Sequence, residues 1–391
     1  MARSSVSALE ETPLAKIRVD QVGSLLRPQE LKDVYAWHGS GRASDEELRQ
    51  AQDEAIRQVI ARQEVHGLPV LTDGEYRRLN FQDSFAESVT GFLPGKQTLQ
   101  FHEQRATGGK PLTRWDPDNP SQGEPALGYW RPLVERVRLA RNLPLEEFRF
   151  SQPLTSSPIK ITLLSPDRLC EEFDRQNTAG VYGDVDEFLA DVISVERQIV
   201  TELAQAGCRY VQIDAPSYTS YVDPRSLERM RSRGQEPLRR MERSINADNA
   251  VIAGFPGVTF GIHLCRGNQR SMWHREGGYD AIAERLFNGL KHQRLLLEYD
   301  SERAGGFDPL RLVPGDKVVV LGLVSSKIAR VENPGELRRR IEEASRYLSL
   351  DRLALSPQCG FASNILGNLL GEKDQWRKFD VIREVASEIW K

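Results

Sequence analysis

The sequence predicts an α/β chain folded as a (β/α)8 TIM barrel with an insertion between its second and third strands. Three observations carry this prediction. Eight short apolar or β-branched runs end abruptly in polar or glycine residues, most are followed by a stretch of helical periodicity, and the residues that close the runs are nearly all polar or ionisable. In such a barrel the working face lies at the carboxyl ends of the strands, which gives that polarity a purpose.

The runs are Lys16 to Val22, Leu68 to Thr72, Pro158 to Leu164, Arg209 to Ile213, Val258 to Leu264, Arg294 to Glu298, Lys317 to Leu323 and Arg352 to Leu355. Between the first two, Ser44-Asp45-Glu46-Glu47 has the form of a capping box and opens an amphipathic stretch to Glu64, closed by Gly67. Further helices are expected over Asp184 to Ala206, Pro224 to Asn246, Tyr279 to Lys291, Pro334 to Tyr347 and Lys373 to Trp390. Residues 76–157 break the rhythm. They are rich in Pro, Gly, Asn and Trp, and a structureless loop of that length is abnormal. An inserted excursion with a hairpin and a helix of its own, lying over the barrel mouth, is expected. No linker or repeat divides the chain, so residues 1–391 read as one domain.

Composition narrows the partners. With 53 basic and 56 acidic residues the net charge is −3, which provides no broad positive field for nucleic acid or anionic lipid. No run reaches the apolar length of a membrane span, and Met1 to Pro13 lacks the sections of a secretion signal, so a cytoplasmic address is expected. Four scattered cysteines are too few for a disulfide scaffold in 391 residues and are expected as reduced thiols.

The strand ends hold two constellations. His263 and Cys265 are two apart, so both project to one face of a strand end, as chelation of one ion requires. Cys359 follows the eighth run and Glu298 closes the sixth, and closure of the barrel brings all of these to one mouth. Ligands of type N, S, S and O select Zn2+. Cys170 and Cys208 fall in a helical stretch and at the opposite end of a strand, and are expected to be structural. His38, His66, His102 and His292 are expected at the surface or in loops, and His274 near the site. The second constellation is Ser24, Glu75 and Asp214. Two carboxylates and a hydroxyl suit the ammonium and carboxylate of an amino acid, while pairing with Arg77, Arg78 or Arg209 is the structural alternative.

At these residues the chain resembles the cobalamin-independent methionine synthase family, in its short branch with only the zinc-binding carboxyl-terminal type of barrel. The resemblance runs in order from Asp20-Gln-Val-Gly-Ser-Leu-Leu-Arg-Pro28 through Thr72-Asp-Gly-Glu75, Gln212-Ile-Asp-Ala-Pro216, Ile262-His-Leu-Cys-Arg-Gly-Asn268 and Leu297-Glu-Tyr-Asp300 to Leu355-Ser-Pro-Gln-Cys-Gly-Phe-Ala-Ser363. It implies zinc on His263, Cys265, Glu298 and Cys359. It also implies homocysteine as the thiol, its amino acid end held by Ser24, Glu75 and Asp214, and transfer of a methyl group to give methionine.

Two departures bear on the methyl source. The full-length synthase carries an additional amino-terminal barrel that helps bind polyglutamylated folate, which has no counterpart here. Where the family's seventh strand ends in an Asp-x-His proton donor, this chain has Gly322-Leu-Val-Ser-Ser-Lys327, which offers Ser326 and Lys327 as candidate catalytic replacements. The expected activity is therefore that of a zinc-dependent methyltransferase with an open donor. Epoxide opening by coenzyme M is the rival alkyl transfer. It needs cationic anchors for a sulfonate, whereas Glu75 and Asp214 favour an ammonium. The related barrel of uroporphyrinogen decarboxylase needs no metal, which the ligand set opposes. A non-catalytic zinc or thiol binder is the alternative outside enzymology, separated by turnover.

Overall fold

The computed structural model describes residues 14–92, 114, 133–170 and 180–391. Among these, β1 (Val89–Phe92) and β2 (Leu133–Leu139) pair antiparallel. The strands β3 (Lys160–Leu164), β4 (Tyr210–Asp214), β5 (Thr259–Leu264), β6 (Arg294–Glu298), β7 (Val318–Val324) and β8 (Leu353–Pro357) form one parallel sheet in chain order. They coincide with the last six expected runs to within a few residues at each end.

The first two runs make shorter contacts than a full strand. Val19 bridges Leu355 of β8, and Leu71 bridges Ile159 just ahead of β3, both in parallel. Asp20 N donates to Leu355 O at 2.9 Å and Lys160 N to Leu71 O at 2.8 Å, so each run occupies its place at the sheet edge. Between the two runs side chains close the seam: Gln21 Nε2 donates to Val70 O at 2.9 Å and Thr72 Oγ1 to Gly23 O at 2.7 Å. The sheet thereby closes on itself as a barrel.

Strand alternation divides each run between two environments. Ile161 and Leu163, Val211 and Ile213, Ile262 and Leu264, Leu295 and Leu297, Val319 and Leu321 all join the main apolar core. The alternate residues are a different population. Lys160, Tyr210 and Arg294, each first in its strand, converge on Asp20: Lys160 Nζ reaches Oδ1 at 2.9 Å, and Tyr210 Oη and Arg294 Nε reach Oδ2 at 2.7 and 3.1 Å. Leu296, Val320 and Ala354 form a small separate apolar cluster. Two residues further along the strands stand Gln212, then Asp214, His263 and Glu298. The barrel interior thus has a polar floor, an apolar middle on one side and a polar top.

The Ser44 capping box opens the helix Asp45–Val65, and Asp184 caps Val185–Gln205. The expected helix from Pro224 to Asn246 is two helices, Pro224–Ser232 and Pro237–Ile252. Pro237 lacks the amide a continuing helix needs and disfavours helical backbone at the residue before it; Gly234, at φ 69°, makes the turn. The helix expected over Tyr279 to Lys291 is shorter, Ala283–Gly289. Gln29–Gly39 went unanticipated, whereas a helix inside the 76–157 stretch was expected. Gln29–Gly39 starts directly after Pro28, and Leu143–Ser151, capped by Asn142, packs on β3 and on Val185–Gln205 inside the 76–157 stretch.

The β1–β2 hairpin of that stretch lies against the ring: Val137 N donates to Tyr182 Oη at 2.8 Å and Arg136 pairs with Asp191. The rest of the excursion, 93–113 and 115–132 with His102, lies outside the described residues, as does Met1 to Pro13. Cys170 and Cys208 are buried free thiols. His292 is fully buried in the loop before β6. No helix among the described residues is long and apolar enough to cross a membrane.

Candidate metal and thiol site

The end of β5, the residue that follows it and the turn after β8 bring His263, Cys265 and Cys359 together. One ligand atom from each lies within 4.8 Å of the others, and all three residues are buried. Both ring nitrogens of His263 are buried without a hydrogen-bond partner. An imidazole so placed carries a desolvation cost that a bound ion would remove. Two soft sulfurs and an imidazole are the donor chemistry that zinc takes, so the residues present fit that ion.

The acidities of the two thiols are pushed apart by one another and by the imidazole. Cys265 lies well below the ordinary thiol range, drawn down first by the adjacent Cys359 thiol and then, against burial, by the His263 ring. Cys359 is pushed well above it by Cys265 and by burial. The pair behaves as two sulfurs competing for one proton.

The turns that carry the ligands are tied to one another. Asn268 Nδ2 donates to Gly360 O at 2.9 Å, linking the loop after Cys265 to the loop after Cys359. Thr219 Oγ1 donates to Cys265 O at 2.7 Å. Ser326, at the end of β7, bonds Gln358 Oε1 through both its amide and its hydroxyl, at 2.8 Å each. Its hydroxyl therefore serves the Cys359 turn. Lys327 is different: its ammonium is buried with no hydrogen-bond partner. Its charge favours the ionised form of Glu298 and lowers the Cys359 thiol against the larger upward effects on it.

Glu298 is fully buried but is not part of the 4.8 Å group. Its Oε1 accepts from Arg303 Nε at 3.0 Å and Nη2 at 2.8 Å, and its Oε2 accepts from the Arg266 amide at 2.7 Å. Sequence reasoning missed both arginines. Arg303 lies five residues past Glu298, in the loop expected to serve the mouth, and that position was the available signal.

Of the second constellation, Glu75 and Asp214 lie within electrostatic reach of one another. Glu75 sits at φ 60°, a conformation that costs a residue with a Cβ about 1 kcal/mol, and its amide is held by Asp73 Oδ1 at 2.8 Å. Its Oε1 accepts from Thr162 Oγ1 at 2.7 Å, whereas Oε2 is buried without a partner. Gly23 allows that approach, since a Cβ there would stand 2.7 Å from Thr162 and 3.0 Å from Glu75 Oε1. Ser24 packs on Gly360, where a Cβ would come within 2.0 Å of its Oγ. Asp214 pairs with His263 across β4 and β5, accepts from Gln212 Nε2 at 2.8 Å, and is pushed up to about 7 by burial, with Glu75 adding to the effect.

The structural alternative for the acids is realised only in part. Arg77 pairs with Asp53, and Arg209 bonds backbone carbonyls. Arg78 stands 3.7 Å from Glu75 but gives its shortest contacts to Glu147. His274 packs on Gly267, where a Cβ would be 2.6 Å from the ring, and burial together with Arg275, Arg168 and Lys327 keeps it neutral.

Residues 177–368 match the family model for the catalytic domain of cobalamin-independent synthases. The uncharacterized protein YxjH of Bacillus subtilis (strain 168) is 36% identical, over 98% of this chain and 97% of its own length. A methionine synthase of Sulfurisphaera tokodaii is 23% identical over 90% of this chain and 87% of its own. A crystallised Listeria monocytogenes protein, assigned as a vitamin-B12 independent methionine synthase, superposes with a TM-score of 0.72 at 26% identity, covering 97% of this chain and 99% of that one. With β3 to β8 in barrel order and the His, Cys and Cys cluster at their carboxyl ends, this chain belongs to the cobalamin-independent methionine synthase family.

Proposed function

We propose that the chain is a zinc-dependent methyltransferase that moves a methyl group onto the thiol of homocysteine to give methionine. The observation that carries this reading is the presence of the buried His263, Cys265 and Cys359 cluster together with two buried acids, Glu75 and Asp214. The acids select an amine-bearing thiol over a sulfonate such as coenzyme M, which would meet two carboxylates.

His263, Cys265 and Cys359 would hold the ion, with Glu298 as an oxygen donor. The chemistry zinc would supply is ionisation of a coordinating thiol near neutral pH with the sulfur kept nucleophilic. The protein's own residues do the rest. Glu75 Oε2 and Asp214 accept the substrate ammonium, which draws Asp214 toward its ionised form, and Ser24 Oγ meets the carboxylate. Positioning by three groups converts encounter into an oriented attack. Ser326 holds the Cys359 turn. Lys327, with free N–H donors, gives a proton to the departing group of the methyl donor.

Metal analysis of the purified protein is expected to find one zinc per chain, with retention lost in Cys359→Ser. Methionine formation from homocysteine would then be assayed against a panel of methylfolates, methylcobalamin and S-methyl compounds. Zinc with no product from any donor would make the chain a thiol-binding protein instead. Full metal content in a Cys265→Ser, Cys359→Ser double variant would sink the site assignment.

A further inference from the structure

Arg303 spends both of its inner N–H groups on a single oxygen. Nε and Nη2 each bond Oε1 of Glu298, at 3.0 and 2.8 Å. A carboxylate oxygen has two lone pairs, so Oε1 is saturated. Oε2 receives the Arg266 amide at 2.7 Å and keeps one lone pair. Neither donor is free to drift. Arg303 Nη2 also bonds Asp300 Oδ1 at 2.6 Å, and the guanidinium stacks 5.3 Å over the Trp273 ring. Arg266 is fully buried and bonded to Gly277 O, Ala304 O and Glu298 O. The two anchors of Arg303 do not depend on Glu298, so the guanidinium stays in place whether or not the carboxylate leaves it.

We infer that Arg303 is a positioning residue that competes with the metal for Glu298, restricting it to a one-oxygen donor that an incoming thiol can replace. The inference rests on the zinc reading above. A carboxylate without Arg303 would offer a metal both oxygens and full negative charge, and would be a stronger ligand. A carboxylate held by Arg303 has somewhere to go: released, it keeps two charge-assisted bonds and is never left buried and unpaired. The His263, Cys265 and Cys359 cluster assembles without Glu298, as ligand atoms within 4.8 Å of one another require no fourth member.

The sign of the effect separates this role from a structural one. Loss of a merely structural arginine loosens the loop and weakens metal retention. Loss of a competitor strengthens it. Arg303→Gln is expected to lose zinc to a chelating dye about tenfold more slowly than the parent. In the Co(II)-substituted protein, the sulfur charge-transfer band induced by homocysteine should need about tenfold more thiol to half-saturate, equivalent to ~1.4 kcal/mol. Arg303→Lys should recover part of both shifts. In a Glu298→Gln background, Arg303→Gln should change neither.

Faster zinc loss in Arg303→Gln, an unchanged thiol titration, or an effect that persists in the Glu298→Gln background would each overturn the inference. Should Arg303→Gln fail to fold, Arg303→Lys carries the same signs at smaller size. A parent protein that takes up no metal would sink the zinc reading, and this inference with it. A parent that binds metal and thiol beside an Arg303→Gln that behaves identically would sink the inference alone.

Discussion

Glu75→Gln tests the amino acid half of the site with little disturbance to the fold. Glu75 Oε2 is buried and without a partner, while Oε1 is engaged by Thr162 at 2.7 Å. Glutamine can keep the Thr162 bond through its carbonyl and then presents an NH2 where Oε2 stood. A donor would face the substrate ammonium, which has only donors itself. The left-handed backbone at residue 75 is equally costly for both side chains, so it cancels in the comparison. A hydrogen bond to a charged group contributes about 1.5–3 kcal/mol, which converts to roughly 10- to 150-fold in affinity. Calorimetry on the zinc-loaded protein, with homocysteine and with 4-mercaptobutyrate, which lacks the amine, isolates the interaction. The loss should appear for homocysteine and be nearly absent for the des-amino thiol. Equal losses for both ligands, or none for either, would refute the assignment of Glu75 to the ammonium.

Two further predictions concern the scaffold. Lys160 Nζ bonds Asp20 Oδ1 at 2.9 Å, Gln212 Oε1 at 2.8 Å and Gln21 O in the barrel floor, so Lys160→Met removes the buried cation beside Asp20 and leaves Gln212 Oε1 and Gln21 O without that donor. A destabilisation of about 3–5 kcal/mol in urea unfolding is expected, and a loss below about 1 kcal/mol would mean that Arg294 and Tyr210 satisfy Asp20 alone. Asp248 accepts from Tyr218 Oη at 2.6 Å and Ser165 Oγ at 2.8 Å, and burial raises its carboxyl to about 7. A raised acid favours the fold while protonated, so its contribution is complete below about pH 4 and is lost as pH rises through about 7. Asp248→Asn cannot ionise, so its stability relative to the parent should grow from pH 4 to pH 8 by at most ~4 kcal/mol. Urea midpoints for both proteins at several pH values measure this, and a pH-independent difference would contradict it.

Much of the site could be read before any fold was known, because its residues sit where strands stop. His263 and Cys265 share a face by strand period alone, and Glu75, Asp214, Glu298 and Cys359 each close an apolar run or lie just beyond it. The last six runs were legible for the same reason. The first two were legible as runs but not as contacts: their bridges at Val19 and Leu71 are single, and side chains from Gln21 and Thr72 complete the seam. A helix was expected within the 76–157 stretch but not its position, because the nine residues of Leu143–Ser151 are too few to show a clear period.

Alternation and composition along the chain determined which residues meet at the barrel mouth, since strand period and closure leave them little choice. Which of them are already committed elsewhere was decided only by the tertiary structure. Ser326 and Lys327 are neighbours in sequence, yet the Ser326 hydroxyl is spent on Gln358 and the Lys327 ammonium is unpaired. Glu298 was expected among the ligands, and its Oε1 is already committed to Arg303. A hydrogen bond between loops depends on where distant turns are held, to within a fraction of an ångström, and local sequence carries no record of that distance.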